Sequence, residues 1–167
     1  MSTLMDLKDI YGTILFSAAA DTIKELLIEA VKKGADLQGA DLRGAYLQGA
    51  YIRGAKNIPA LALAQLQHIP EEGAFIGFKK CQNNVIVKLL IPEDAKRSHG
   101  SERKCRASKA VVLDVFGADE GISLHDGETK YIKGETVTPH SWGEDRWETC
   151  APGIHFYITR AEAEAHQ

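Results

Sequence analysis

The sequence predicts a mixed fold in which strand dominates: one short solenoid coil, capped by a helix, leads into a small α+β domain. Three observations predict it. Residues 35–54 run A-D-L-Q-G, A-D-L-R-G, A-Y-L-Q-G, A-Y-I-R-G, with a strict period of five. Residues 22–34 carry a helical apolar face between a capping pattern and a glycine. From about Gly73 onward, short runs of β-branched and aromatic residues are separated by turn residues.

The elements follow in order. Residues 1–34 form an N-terminal segment and a helix: Thr22 and Glu25 make a capping box, Ile23, Leu26, Leu27, Ala30 and Val31 share one face, and Gly34 stops it. Residues 35–56 are the coil. A period of five fits neither the three-four spacing of a helix nor the alternation of a half-buried strand. If each unit is one side of a square turn, Leu37, Leu42, Leu47 and Ile52 point inward with Ala35, Ala40, Ala45 and Ala50, and a glycine turns each corner. Asp36, Gln38, Asp41, Arg43, Tyr46, Gln48, Tyr51 and Arg53 then face outward. Four units make about one coil, which cannot bury its own apolar faces, so the helix is expected to cover one end. On the other side stands a short helix, Ala60 to Leu66, in the linker 57–72, or another copy of the protein. Residues 73–167 are the α+β domain. Strands are predicted at 75–78, 85–91, 110–116, 130–133, 136–138 and 153–158, and Thr159 with Glu162 caps a closing helix at 160–166.

At 44% hydrophobic and 26% charged residues the chain reads as globular. It has no run of about 18 apolar residues to span a membrane, and its start lacks a basic and an apolar leader region, so a cytoplasmic protein is expected. Three cysteines, Cys81, Cys105 and Cys150, an odd number without an export signal, argue against a disulfide framework, and although Cys150 with His155 and Cys105 is the nearest metal pattern, the lack of a C-x-x-C pair argues against a metal site. No cofactor is expected.

The net charge of −3 hides an asymmetry: residues 77–112 hold nine basic and three acidic residues, and residues 113–167 hold four basic and eleven acidic. A basic third beside an acidic third points either to an anion site or to a self-complementary interface between copies, hence a homo-oligomer.

The A-(D/N)-L-x-x pattern of residues 35–54 resembles the pentapeptide-repeat family, which implies a right-handed quadrilateral β-helix; Tyr46 and Tyr51 replace the usual Asp or Asn. Downstream, G-F-K-K-C at 77–81, I-V-K-L-L-I-P at 86–92, K-R-S at 96–98, R-K-C-R-A at 103–107 and C-A-P-G-I-H-F at 150–156 resemble an uncharacterised domain that follows such repeats in many phage and prophage proteins. Phe78 stands where that domain carries Trp. The likeness implies a phage origin and action in the bacterial host cytoplasm, and supplies no mechanism.

Candidate site residues cluster in the loop 96–109. Lys96, Arg97, Ser98, Ser101, Arg103, Lys104, Arg106, Ser108 and Lys109 offer the guanidinium forks and hydroxyls that phosphate oxygens require. The plainer reading is that these charges are solvated or paired with the acidic third. Lys79 and Lys80 join Arg97, Ser98, Arg103, Lys104 and Arg106 as candidate ligand contacts, with Trp142 and Trp147 either stacking on a base or serving core and interface. A small anionic ligand of nucleotide type fits better than double-stranded nucleic acid, because the chain is net acidic and shows no recognition helix.

The residues point to a non-enzymatic protein that binds a small anionic ligand, and the phage resemblance implies that it sequesters or senses a nucleotide signal of host defence. One alternative is an interaction or assembly module. Another is a hydrolase or nucleotide-modifying enzyme with Cys105 or Cys150 as nucleophile and His125, His140 or His155 as base, although no nucleophile motif surrounds either cysteine and His155 reads as a hydrogen-bonded core residue.

Overall fold

The computed structural model describes residues 2–42, 45, 47, 50, 55–100 and 102–167, in two compact units, Met1–Gln67 and His68–Gln167. Strand dominates. The described strands lie in four small antiparallel sheets of two, four, three and two strands, with few helices and no closed barrel among the described residues.

The first unit opens with a hairpin, β1 (Thr3–Lys8) and β2 (Ile14–Ala20), with Leu7 opposite Phe16. Its tip is tied by the Asp9 carboxylate, which accepts the N–H groups of Tyr11 at 2.9 Å and Thr13 at 2.8 Å. Gly12, with φ +91°, supplies the left-handed step that the turn requires. Helix α1 (Ile23–Lys32) packs on this hairpin and buries Leu26, Leu27 and Ala30. Thr22 caps it as expected, its hydroxyl accepting the Glu25 N–H at 3.1 Å, while the Glu25 carboxylate reaches back to the N–H of Asp21 rather than of Thr22.

In the repeat, Leu37, Ala40, Leu42, Leu47 and Ala50 are buried, as inward positions should be. The N–H groups of Ala40, Ala45 and Ala50 donate to the carbonyls of Leu37, Leu42 and Leu47 at 2.9, 3.1 and 2.9 Å, so the same turn recurs every five residues. A parallel bridge joins Asp36 to Lys56, and the Leu37 N–H donates to the Lys56 carbonyl at 3.1 Å. The hairpin tip is bonded to the first turn through Ile10 N–H to Gly39 O and Asp41 N–H to Lys8 O. Among the described residues these are turns and isolated bridges rather than a continuous β-helix. The expected outward residues Arg43, Tyr46, Gln48, Tyr51 and Arg53, the inward Ile52 and the corner glycines 44, 49 and 54 lie outside the described residues, as does Ser101 in the second unit. Helix α2 (Ala60–Leu66) follows Pro59, as the sequence predicts.

The second unit is built on β3 (Phe75–Lys80) and β4 (Ile86–Ile91), a hairpin whose tight turn uses Asn83 and Asn84 at φ +56° and +58°. Asparagine tolerates that region better than most residues. Next come β5 (Arg97–His99) and β6 (Cys105–Ala107), a short hairpin inside what the sequence presents as a basic loop. They are followed by β7 (Ala110–Phe116), β8 (Glu120–Ile122), β9 (Lys130–Ile132), β10 (Thr136–Val137), β11 (Ile154–Phe156) and α3 (Arg160–Ala165). The large sheet has the order β10-β7-β4-β3, the three-stranded sheet β11-β6-β5, and β8 pairs with β9. The two larger sheets are linked where Phe78 and Tyr157 exchange both backbone hydrogen bonds at 2.7 Å. Between them lies a core of Val87, Leu89, Ile91, Cys105, Ala107, Val112, Tyr131 and Phe156. Gly77 is required there: a Cβ on it would come within 2.5 Å of the Phe156 ring. Thr159 and Glu162 form the complete capping box of α3.

Candidate functional site

The end of β3 delivers Lys79 and Lys80, and strand alternation separates them. Lys79 runs inward and is only 7% exposed, its ammonium 5.5 Å from the centre of the Tyr131 ring. Lys80 runs to the end of α3 and donates to the carbonyls of His166 at 2.7 Å and Glu164 at 3.3 Å, groups that a helix end leaves without intrahelical partners. Lys104 arrives from the residue before β6, its ammonium 3.9 Å from the Cys150 sulfur. The three lysines line one cavity of about 350 Å³, together with His125, His155, Tyr157 and His166.

His155 sits between the buried Ile154 and Phe156 of β11, so alternation turns it to the opposite face, into the cavity. Its Nε2 lies 3.1 Å from the Ala151 carbonyl; a carbonyl can only accept, so Nε2 carries the proton. Burial, reinforced by Lys104 and Lys79, pushes this imidazole down to about 3. His166, whose Nδ1 is 3.1 Å from the Tyr157 hydroxyl, is lowered by burial and then by Lys104, Lys79 and Lys80. Burial also lowers Lys79; Cys81 and Asp126 oppose that shift and Lys104 adds to it. The two histidines resist a further proton partly because the lysines make the cavity positive, and the same field favours an anion.

The remaining loop cations are engaged by other groups of the protein, some inside it and some at its surface. Arg106 is 2% exposed and its guanidinium donates to the carbonyls of Gly143 at 2.9 Å, Asp145 at 2.8 Å and Pro152 at 3.2 Å. Arg97 donates to the carbonyls of Gly73 at 2.8 Å and Glu93 at 2.7 Å. Arg103 pairs with Glu162 at 2.5 Å, Lys96 with Glu144 at 2.8 Å, and Lys109 with Asp94.

The family described as "Family of unknown function (DUF5758)" matches residues 65–163, more than half of the chain. The chain belongs to the DUF5758 family. Residues 33–56 match the family described as "Pentapeptide repeats (8 copies)". No curated protein and no solved structure matches. The DUF5758 match contains every residue of the cavity except His166 and Gln167.

Within the DUF5758 region the nine residues singled out in the sequence do not converge. Lys79, Lys80 and Lys104 meet at the cavity. Arg97, Arg103 and Arg106 are structural, and the Ser98 hydroxyl accepts from Arg106 at 3.5 Å. Trp142 stacks on the Arg106 guanidinium, 5.1 Å from its centre, and Trp147 on Arg146 at 4.7 Å; neither lines the cavity. Tyr157 and His166 were missed. Their only sequence signal is position: Tyr157 follows Phe156 in the alternation of the last strand, and His166 follows the capped helix.

Nucleophilic chemistry finds little support in the buried thiols. Cys105 is fully buried, its sulfur 3.3 Å from His68 Nε2, and burial pushes the thiol up to about 12. Cys81 is likewise buried and pushed up to about 11. A neutral thiol is a poor nucleophile. Cys150 is exposed. Among the described residues no group of three or more His, Cys, Asp or Glu is placed to hold a metal ion.

Proposed function

We propose that this protein binds a small anionic ligand of nucleotide type in the cavity between Lys79, Lys80 and Lys104, and sequesters it without turning it over. Lys79 carries the reading. Its side chain is buried against a cavity, and among the described residues no carboxylate forms an ion pair with it. Buried lysines are rare unless paired, and a phosphate oxygen supplies the missing charge. The likeness of residues 77–156 to a phage domain supports a viral chain acting in a bacterial cytoplasm on a signal of host defence. The recurring turns and the Asp36–Lys56 bridge support one coil of right-handed quadrilateral β-helix as its companion module.

Titration calorimetry with inorganic pyrophosphate tests the site. Bound anion raises the proton affinity of Lys79 and His166, so binding takes up protons and the apparent heat depends on the ionisation enthalpy of the buffer. Lys79→Met abolishes both the binding and the proton uptake. Absence of any heat with phosphate, pyrophosphate and nucleotides up to millimolar concentrations overturns the proposal.

A further inference from the structure

A second cavity, of about 260 Å³, adjoins the first. His125 lines both. Two further contacts tie them together: Lys79, in the first, faces the ring of Tyr131, in the second, and Lys104, in the first, reaches the sulfur of Cys150, in the second. Small-molecule sites typically occupy about 300–1,000 Å³, so each cavity alone is near or below the lower limit and the two together fall within it.

The two lobes differ in chemistry. The first holds three lysines and the second none. Its walls are the apolar faces of Tyr131, Pro139, Pro152 and Ile154, with His140 and Ser141 exposed at one side as hydrogen-bonding groups. It also contains Asp126. Burial raises that carboxyl, but hydrogen bonds from the Thr129 hydroxyl and from the N–H groups of Glu128 and Thr129 outweigh it and hold the group well below the usual carboxylate range. A fixed negative charge repels phosphate from this lobe. An uncharged, flat, hydrogen-bonding ring meets no such penalty and can lie along the proline faces beside the buried Tyr131.

We infer that the two lobes form one bipartite site, in which the lysines hold the phosphate of a nucleoside phosphate and the lobe of Tyr131, Pro139, His140 and Ser141 takes its base. The inference rests on the anion site proposed above and adds the direction in which the ligand lies. It also moves the base away from Trp142 and Trp147, whose faces are occupied by Arg106 and Arg146. His125, between the lobes and edge-on to His155 at 6.2 Å, stands beside the sugar.

Calorimetric titration of the full chain with inorganic phosphate, adenosine 5′-monophosphate and uridine 5′-monophosphate tests this. At least one nucleotide is expected to bind ten-fold or more tightly than phosphate. His140→Ala/Ser141→Ala, at two exposed positions outside every strand and helix, is expected to remove that excess and leave phosphate binding unchanged. Nucleotides that bind no better than phosphate, or an excess that survives the double variant, overturn the bipartite site while leaving the anion site standing. If phosphate, pyrophosphate and both nucleotides all fail to bind, the anion site falls, and this inference with it.

Discussion

Arg106 is the clearest case of a residue whose charge suggests one role and whose surroundings assign another. Its guanidinium, stacked on Trp142, collects three carbonyls from the irregular segment 143–152, which has no strand or helix of its own to satisfy them. Removing the donor takes its bond from the part-buried Gly143 carbonyl, at about 1–3 kcal/mol where water cannot replace it, while the carbonyls of Asp145 and Pro152 keep the N–H groups of Glu148 and Gly143. Arg106→Met therefore lowers stability by roughly 1–3 kcal/mol, measured as a shift in the urea midpoint, while leaving anion binding to the folded protein intact. The sequence makes Arg106 and Lys104 look alike, since both lie in one basic run. What separates them is burial: Arg106 points into the molecule and Lys104 into the cavity, and side-chain direction in an irregular, three-residue strand is set by neighbours far along the chain. Lys79 and Lys80 were legible as a pair, but that one of them is buried was not.

At the scale of elements, the longer strands were legible because their own residues specify them. β4 and β7 are runs of Val, Ile and Leu, and α1 and α3 announce themselves through Thr-x-x-Glu. The elements missed are those whose sequence is polar or short. β5 is Arg-Ser-His and β6 is Cys-Arg-Ala, strands only because each pairs with a neighbour and, in β6, because β11 flanks the other edge. β1 and β2 were hidden differently. Leu4, Met5 and Leu7 look like an unstructured start, and the turn signal, Asp9 followed by Gly12, spans more residues than a tight hairpin. Contact between sheets leaves another mark at Gly77, which lies against Phe156 of β11. Gly77→Ala is expected to cost about 1–3 kcal/mol by overpacking, and Phe156→Leu in the same chain to recover part of it, as a double-mutant cycle in urea resolves.

For the molecule as a whole, the histidine part of its acid sensitivity belongs to the second unit, which holds all six histidines. His99 is buried beside His68 and Arg146, and burial, only partly offset by the Gly100 carbonyl, holds it at about 4; His155 is at about 3. Both sit below the ordinary histidine value of 6.5, so the unfolded chain binds more protons between that value and the folded ones. Stability from these groups is complete above pH 6.5, falls as pH drops below it, and is lost once pH passes about 4 and then 3. The chain has two tryptophans, Trp142 and Trp147, both in the second unit, so their fluorescence follows its unfolding alone. Urea midpoints read this way should decline from pH 7 to pH 4, and His99→Gln should flatten the decline. The charge asymmetry of the sequence also finds its explanation at this scale: basic residues of 96–109 meet Glu144 and Glu162 of the acidic third inside one unit.

The bridge between Asp36 and Lys56 has one more consequence, for how this chain tolerates changes in length. Backbone that enters the repeat at one point leaves it alongside that point twenty positions later. In the one-coil β-helix proposed above, insertion or loss of a whole twenty-residue circuit would keep entry and exit as neighbours, whereas a single five-residue unit would part them. On that reading, changes of length are expected to be tolerated in steps of four motifs rather than one.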